Sequence, residues 1–264
     1  MFKKILKYFT IAVLGAAAAS YFFFVSSISA SAERNEVVRK MDIVIKDSAQ
    51  LRFIDKSIVR NIYHTEFGNP EGVNIRKLKL GAIENYLNSQ SAIKKVQVMV
   101  TTSGVLRIEI EQRRPILRLA AAQGGYYVDE TGYIYPLQNT FTSYVPVVSG
   151  NIPVTITDNG KVLSYKDEKG WMKEMVALVS YIDANPFWNS MIEQMNINDN
   201  GELELYTQIG NAKILFGDLH KVRAKFARLK AFYKKIAPEW GWERYKEINL
   251  KYDNQIVCVL NKKN

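Results

Sequence analysis

A long uncharged run near the start of the chain limits what this protein can be. Three lysines stand within residues 1–7, and the next charged residue after them is Glu33. The run between them, Tyr8–Ala32, exceeds the roughly 20 residues that a helix needs to cross a membrane. Because lysines precede the run and none follows closely, the positive-inside rule puts the N-terminus in the cytoplasm. The sequence therefore predicts a single transmembrane anchor over residues 8–30, behind a cytoplasmic tail.

A cleaved signal peptide is the alternative interpretation of the same run. Ser29-Ala30-Ser31-Ala32 has the small residues of a cleavage site. The run is long for the apolar core of a signal peptide, which favours the uncleaved anchor. Either interpretation exports residues 33–264. The single cysteine, Cys258, suits an oxidising compartment because the chain has no second thiol with which it could mispair.

The first exported region, residues 36–112, begins with the pattern of a strand and two helices. Residues 37–45 carry the apolar residues of a first strand. Asp55 can cap a helix that Gly68 ends, and a second helix is predicted over residues 74–89.

The same region ends with a change from helical to strand periodicity. Apolar residues alternate with polar ones over residues 96–100 and again over residues 106–110. Ser103-Gly104 between them predicts the turn of a β-hairpin with one wet face. The predicted order is therefore β-α-α-β-β, which is a complete small α+β domain.

The second exported region, residues 113–262, is predicted to be rich in strands. Asp129-Glu130-Thr131-Gly132 has the composition of one hairpin turn, and Asp199-Asn200-Gly201 precedes another hairpin. Residues 145–150 are extended and apolar. Pro146 among them favours an edge or irregular strand over a central one.

Two helices accompany the strands of this second region. Apolar residues at helical spacing from Trp171 to Ile182 predict the first helix. Asp218 can cap the second helix, whose other side is strongly basic. A short hairpin, made of residues 247–252 and 255–260, closes the chain.

The chain carries 36 Lys and Arg against 26 Asp and Glu, a formal net charge of +10. Such an excess suits nucleic acid, anionic lipid or an acidic partner. Export argues against nucleic acid. The basic helix is first of all a solvated helix face, with lipid headgroups as the alternative ligand. Its cationic residues are Lys221, Arg223, Lys225, Arg228, Lys230, Lys234 and Lys235.

Catalytic and metal-binding candidates are few. Asp129 and Glu130 could be the carboxylate pair of a glycosidase, but adjacent residues in a tight turn diverge, and turn chemistry explains both. His64 and His220 have no second imidazole or thiolate at ligand spacing. Cys258 alternates with apolar residues on a terminal strand, which favours a buried apolar role over that of a nucleophile.

Several segments together resemble the FtsQ/DivIB family of bacterial cell-division proteins. Residues 105–115 are similar to the family strand that ends in an Arg-x-Pro junction, and residues 127–132 to its V-D-x-x-G turn. Residues 145–150 resemble its P-x-x-x-G segment. Two further segments also fit, Ile214-Leu215-Phe216-Gly217 and Ile248-Asn249-Leu250-Lys251-Tyr252.

The resemblance implies a fold and a function. The fold would be α+β, with one N-terminal transmembrane helix, a POTRA-like β-α-α-β-β domain over residues 36–112, and a β-rich domain with two flanking helices over residues 113–262. The function would be that of a non-enzymatic scaffold at the division septum of the inner membrane, without cofactor or small-molecule substrate. Its partners would be FtsB/DivIC-like and FtsL membrane proteins.

Two other functions remain open at this point. One is an exported envelope hydrolase that acts on peptidoglycan, which the scarcity of His and Cys weakens. The other is a translocation component, because POTRA domains occur there, although no barrel-like series of strands follows.

We expect partners to bind by strand addition along residues 255–260, since no later strand is long enough to cover this edge. Ile256, Cys258 and Leu260 are expected to face the core, and lysines near the edge would attract an acidic segment. The predicted partner-binding residues are Lys246, Ile248, Leu250, Tyr252, Gln255, Val257 and Val259.

Overall fold

The computed structural model describes residues 13–24, 36–121, 124–158, 163–167 and 170–261. The chain divides into two compact units. The first unit contains Met1–Ser48 and Ile54–Gln112, and the second contains Ala49–Phe53 and Arg113–Asn264. Secondary structure in these units is mixed α+β, as the sequence predicts.

The N-terminal helix α1 covers residues 13–24, and all its side chains are exposed. Across the parts of the chain that the structure describes, no helix reaches the length and apolarity needed to cross a membrane. The predicted anchor, residues 8–30, extends beyond α1 at both ends. The predicted tail 1–7 and the cleavage site 29–32 lie outside the described residues.

The first unit has the predicted β-α-α-β-β order around a three-stranded sheet, β1-β3-β2. Strand β3 is central, parallel to β1 and antiparallel to β2. The elements are β1 Lys40–Ile45, α2 Lys56–Phe67, a 3₁₀ turn Ile75–Lys77, α3 Leu80–Asn88, β2 Ile93–Val100 and β3 Val105–Gln112.

Local chemistry explains where the first of these helices begins and ends. The Asp55 carboxylate accepts a hydrogen bond from the Ile58 N–H at 2.8 Å, which caps α2. Gly68 follows α2 with φ 75°, a conformation that favours glycine. Both predictions are confirmed.

Two boundaries in the first unit differ from the prediction. The helix predicted over residues 74–89 is a 3₁₀ turn followed by α3, because the Asn74 side chain caps the short turn through the Arg76 N–H. The first strand begins only at Lys40, since Val37 forms an isolated bridge with Asn74. The buried residues of α3 are Ile83 and Leu87.

The second unit is built on a nine-stranded sheet with the order β14-β13-β12-β11-β10-β7-β4-β5-β6. The two remaining strands, β8 and β9, pair with each other. Its strands are β4 Pro115–Ala121, β5 Gly124–Asp129, β6 Ile134–Pro136, β7 Val147–Gly150, β8 Thr155–Asp158, β9 Leu163–Lys166, β10 Ile192–Ile197, β11 Leu203–Thr207, β12 Lys213–Gly217, β13 Tyr245–Asn249 and β14 Val257–Leu260.

The helices of the second unit contribute large apolar side chains to one core. They are α4 Trp171–Asp183, α5 Pro186–Met191, α6 Val222–Lys235 and α7 Ala237–Trp240. The Trp188 ring lies 4.8 Å from that of Phe226, centroid to centroid, which joins α5 to α6. Met175 of α4 and Leu229 of α6 are fully buried in the same core. These contacts hold the helices on the sheet by burial of apolar surface.

Strand β7 corrects one prediction, because it lies inside the sheet between β10 and β4 rather than at an edge. Pro146 precedes the strand, so it removes no donor from the ladder, and its carbonyl accepts the Arg118 N–H at 3.0 Å. Gly150 ends β7 with φ 88°.

The start of α6 is a second correction. The helix begins at Val222, and no side chain caps it; Asp218 lies outside the helix. The Asp218 carboxylate instead binds the buried Lys225 ammonium at 2.6 Å. Lys225, predicted on the solvated face, therefore belongs to the interior of the second unit.

Candidate partner-binding edge

Strand β14 is the outermost strand of the nine-stranded sheet, as the sequence predicts for this segment. It pairs antiparallel with β13, and the register joins Val257 to Asn249 and Val259 to Glu247. The strand begins two residues later than predicted, at Val257 rather than Gln255. One long side of β14 therefore remains available in this sheet for another strand.

The direction of each N–H on β14 follows from the antiparallel ladder. Successive residues of such a strand point their N–H groups alternately toward and away from the neighbouring strand. The Asn261 N–H donates to the Arg244 carbonyl at 2.9 Å, so it points inward. By alternation, Val257 and Val259 also point inward, and the N–H groups of Cys258 and Leu260 face the open edge.

The side chains of β14 divide between two faces. Cys258 is partly buried against the core together with Ile256, as predicted. Val257 and Val259 are exposed on the other face. Leu260, predicted on the core side, is instead 50% exposed at the last residue of the strand.

A groove of about 510 Å³ runs beside this edge, between β14 and α6. Phe232, Ile236 and Ile256 give it apolar walls, and Arg228 and Lys235 place two cations on it. The Arg228 Nη2 donates to the Leu250 carbonyl at 2.9 Å. Its Nε is buried and has no hydrogen-bond partner within the described part of the chain. The groove thus combines apolar surface with two cationic side chains.

The predicted partner-binding residues separate into buried and exposed ones. Ile248 is 1% exposed and Leu250 is 0% exposed, because both side chains pack into the core. Neither side chain is accessible to a partner in this structure, so we no longer count the two residues as candidate side-chain contacts. Alternation along β13 predicted them on one face but could not say which face the core occupies.

The other predicted residues are on the surface. Lys246 is exposed on β13, while Tyr252 and Gln255 are exposed in the connection between β13 and β14. One nearby lysine already forms an ion pair within the chain, because Lys251 binds the Glu202 carboxylate at 3.1 Å. Lys262 and Lys263, the other predicted attractants, lie outside the described residues.

Family models match both units of the chain. A model for a POTRA-like domain matches residues 36–111. A second model, described as FtsQ/DivIB, C-terminal related, matches residues 114–259, which is more than half of the chain. The chain belongs to the FtsQ/DivIB family. A search of curated proteins found no match.

Membership of the FtsQ/DivIB family confirms the resemblance seen in the sequence. It indicates a division-site protein that acts through protein–protein interactions in the division machinery. The family is generally non-enzymatic, which disfavours the hydrolase alternative. The POTRA-like match covers the three-stranded unit up to residue 111, and the FtsQ/DivIB match covers the groove residues and β14 up to Val259.

The geometry around Asp129 also disfavours the hydrolase. Its carboxylate accepts hydrogen bonds from Arg113 at 2.8 Å, from the Thr131 N–H at 2.8 Å and from the Tyr133 N–H at 3.0 Å. Burial alone would raise the pKa of Asp129, but the hydrogen bonds from Thr131 and Arg113 lower it below its ordinary value. A general acid of a glycosidase needs a raised pKa, so this ionised carboxylate serves the turn instead.

The remaining reactive candidates have structural surroundings. His64 lies in the last turn of α2, beside the Tyr63 ring. His220 is exposed in the turn before α6. Burial raises the pKa of the Cys258 thiol, which disfavours the thiolate that a nucleophile requires. Within the described ranges, no group of three His, Cys, Asp or Glu side chains is placed to hold a metal ion.

Proposed function

We propose that this chain is a non-enzymatic, single-pass scaffold of the bacterial division machinery. Residues 8–30 anchor it in the cytoplasmic membrane with the N-terminus inside, and residues 33–264 lie outside the cytoplasm. At the septum it binds FtsB/DivIC-like and FtsL partners and so supports septal cell-wall synthesis. The observation that carries the proposal is the open edge of β14 in a domain of the FtsQ/DivIB family.

Two other edge strands, β2 and β6, carry protections that β14 lacks. In the first unit, side chains occupy two N–H groups of the edge strand β2. The Glu84 carboxylate accepts a hydrogen bond from the Val98 N–H at 2.7 Å, and the Asn88 side-chain oxygen accepts one from the Val96 N–H at 2.9 Å. In the second unit, β6 is only three residues long and ends in Pro136. Capping side chains, short length and proline are the usual protections of an edge strand. Strand β14 is four residues long and contains no proline.

The groove beside β14 extends the proposed interface from main chain to side chains. An added strand draws affinity from main-chain hydrogen bonds, while pockets next to it select side chains. Phe232 and Ile236 would receive an apolar side chain of the partner. Arg228 and Lys235 would attract a carboxylate of the same segment. The partner segment is therefore an extended one that is both apolar and acidic.

Leu260→Pro tests strand addition at this edge. The substitution removes an outward N–H and places a ring where a partner strand would lie, while the inward hydrogen bonds of β14 remain. We expect the affinity of the full-length chain for its FtsB/DivIC-like partner to fall by about tenfold or more, the loss of one hydrogen bond plus a steric clash. Val257→Pro is a poorer probe, because its N–H faces β13.

Leu260→Ala is the matched control, since it shortens the same side chain but keeps the N–H group. It should bind the partner several-fold better than Leu260→Pro. Thermal unfolding of both variants in detergent shows whether the domain remains folded. Full partner binding by a folded Leu260→Pro protein would exclude strand addition at β14 and direct attention to the POTRA-like unit.

A further inference from the structure

One end of the POTRA-like unit gathers three segments that are distant in sequence. The Ile75 N–H donates to the Glu36 carbonyl at 3.0 Å, and the Arg39 N–H donates to the Gly104 carbonyl at 2.8 Å. These bonds bring the start of the unit, the 3₁₀ turn and the β2–β3 turn together. We call this region the entry end, because the chain enters the unit there. Gln112 leaves the unit from the opposite end of β3.

The entry end is rich in exposed cations. Five basic side chains lie on its three segments and are exposed: Arg39, Lys40, Arg76, Lys77 and Lys79. Three exposed carboxylates share this end, those of Glu36, Glu66 and Glu71. Cations therefore outnumber carboxylates by two. At the opposite end of the unit, Lys46 binds Glu109 at 3.0 Å and Lys94 binds Glu111 at 3.2 Å.

A small cavity of about 210 Å³ opens at the entry end. It is lined by Arg39 and Ile75, by the hydroxyl residues Thr102 and Ser103, and by the main chain of Gly104. A guanidinium beside two hydroxyl groups is a donor set that suits a phosphate ester. Glu36 also lines the cavity and carries the one carboxylate among its lining residues.

The position of the entry end in the sequence fixes how far it can be from a membrane. Residues 31–35 are the whole link between the proposed anchor, residues 8–30, and Glu36. Fully extended, such a link spans about 20 Å. Glu36, where the chain enters this end, thus lies within about two Debye lengths of the end of the proposed anchor.

We propose that the entry end of the POTRA-like unit docks on an anionic bilayer surface and takes a phospholipid headgroup phosphate into its cavity. The proposal rests on the membrane anchor of the proposed function but not on its partner binding. Each Lys or Arg near an anionic bilayer strengthens the contact by about fivefold. Docking would fix the height and tilt of the unit above the membrane.

The test uses the full-length chain in lipid nanodiscs, with a fluorophore on Thr65→Cys in a Cys258→Ala background. Thr65 is exposed in the last turn of α2, near the entry end. Discs contain a headgroup-linked quencher and either phosphatidylcholine alone or a mixture with phosphatidylglycerol. We expect stronger quenching in the anionic discs, and we expect added salt to reduce the difference.

Two triple variants with the same change of net charge separate this surface from general electrostatics. Arg39→Gln, Lys77→Gln and Lys79→Gln together should abolish the extra quenching in anionic discs. Lys56→Gln, Arg60→Gln and Lys95→Gln, which lie away from the entry end, should preserve it. Equal quenching in both lipids, or equal loss in both triple variants, would overturn the proposal.

Failure of the lipid contact can be told apart from failure of the proposed function. Partner binding is measured on the same discs, and it should be unchanged in both triple variants because β14 is intact. If the chain does not remain embedded in discs, the anchor fails. The same full-length variants are then sedimented with vesicles of both compositions, where absence of binding to anionic vesicles would reject the docking surface as well.

Discussion

At the scale of single residues, two buried charged side chains hold the backbone in place through hydrogen bonds and ion pairs. Asp129 is 1% exposed and closes the β5–β6 turn through Thr131 and Tyr133, while Arg113 neutralises it. Lys225 is the counterpart in α6, a buried cation that Asp218 holds beside the Phe216 ring. A buried ion that keeps its partners is tolerated, whereas one that loses them is costly.

Asp129→Asn should therefore destabilise the second unit, by about 2–4 kcal/mol at neutral pH. The pKa of Asp129 is lowered in the fold, so its ionised form contributes stability above the ordinary aspartate pKa of 3.8. That contribution disappears as the pH falls through the lower, folded pKa. The difference in unfolding free energy between wild type and Asp129→Asn should thus shrink between pH 7 and about pH 3.

Urea unfolding at both pH values measures this difference. Glu130→Gln is the control, because Glu130 is an exposed neighbour in the same turn. It should change stability little at either pH. A destabilisation by Asp129→Asn that is as large at pH 3 as at pH 7 would show that the ionised carboxylate is not what stabilises the turn.

At the scale of elements, β7 depends on a glycine. Gly150 has φ 88°, and a Cβ there would lie 2.1 Å from the Ile197 carbonyl oxygen of the parallel neighbour β10. Gly150→Ala should therefore push β7 from β10 and lower the melting temperature by several degrees, corresponding to about 2–4 kcal/mol. The clash lies in main chain, which cannot rotate away.

Gly201→Ala separates the clash from backbone strain. Gly201 has a similar φ of 76°, but a Cβ there would meet no atom within 4 Å. Its substitution should cost about 1 kcal/mol, the strain of the left-handed conformation alone. Differential scanning calorimetry compares the two variants, and equal shifts in melting temperature would contradict a specific role of Gly150 in the β7–β10 contact.

Sequence patterns predicted those elements that depend only on residues close together in the chain. The β2–β3 hairpin, α2 with its Asp55 cap, and α4 all follow from alternation, helical spacing and capping. The place of β7 in the sheet did not follow, because its neighbours β4 and β10 are distant in sequence and pair with it in parallel. Strands β4, β8 and β9 were missed, since none has a long run of alternating residues.

The same limit applies to the candidate site. The position of the last strand at an edge of the sheet agrees with the prediction. The burial of Ile248 and Leu250 could not be inferred, since it depends on which face of the sheet the helices cover. The groove beside α6 is lined by Phe232 and Ile256, which are distant in sequence. No local sequence pattern predicts that these two residues lie close together.

At the scale of the whole molecule, the fate of the N-terminal segment determines whether the two units stay attached to a membrane. An uncleaved anchor predicts that the chain extracted from membranes begins at or near Met1, and that it stays in the pellet after alkaline carbonate treatment. N-terminal sequencing of that material measures this directly. A mature chain that begins near Glu33, released by carbonate, would instead establish the cleaved signal peptide.

The second unit includes five residues that come from the sequence of the first, Ala49–Phe53. The Phe53 ring is 1% exposed and lies edge-on to Tyr127, Tyr135 and Phe141, with centroids 5.1 to 6.4 Å apart. A fragment that begins at residue 113 would lack Phe53 and therefore one side of its own aromatic cluster. The boundary between the units is thus not a single point on the chain, because Ala49–Phe53 precede Ile54–Gln112 in the sequence but belong to the second unit.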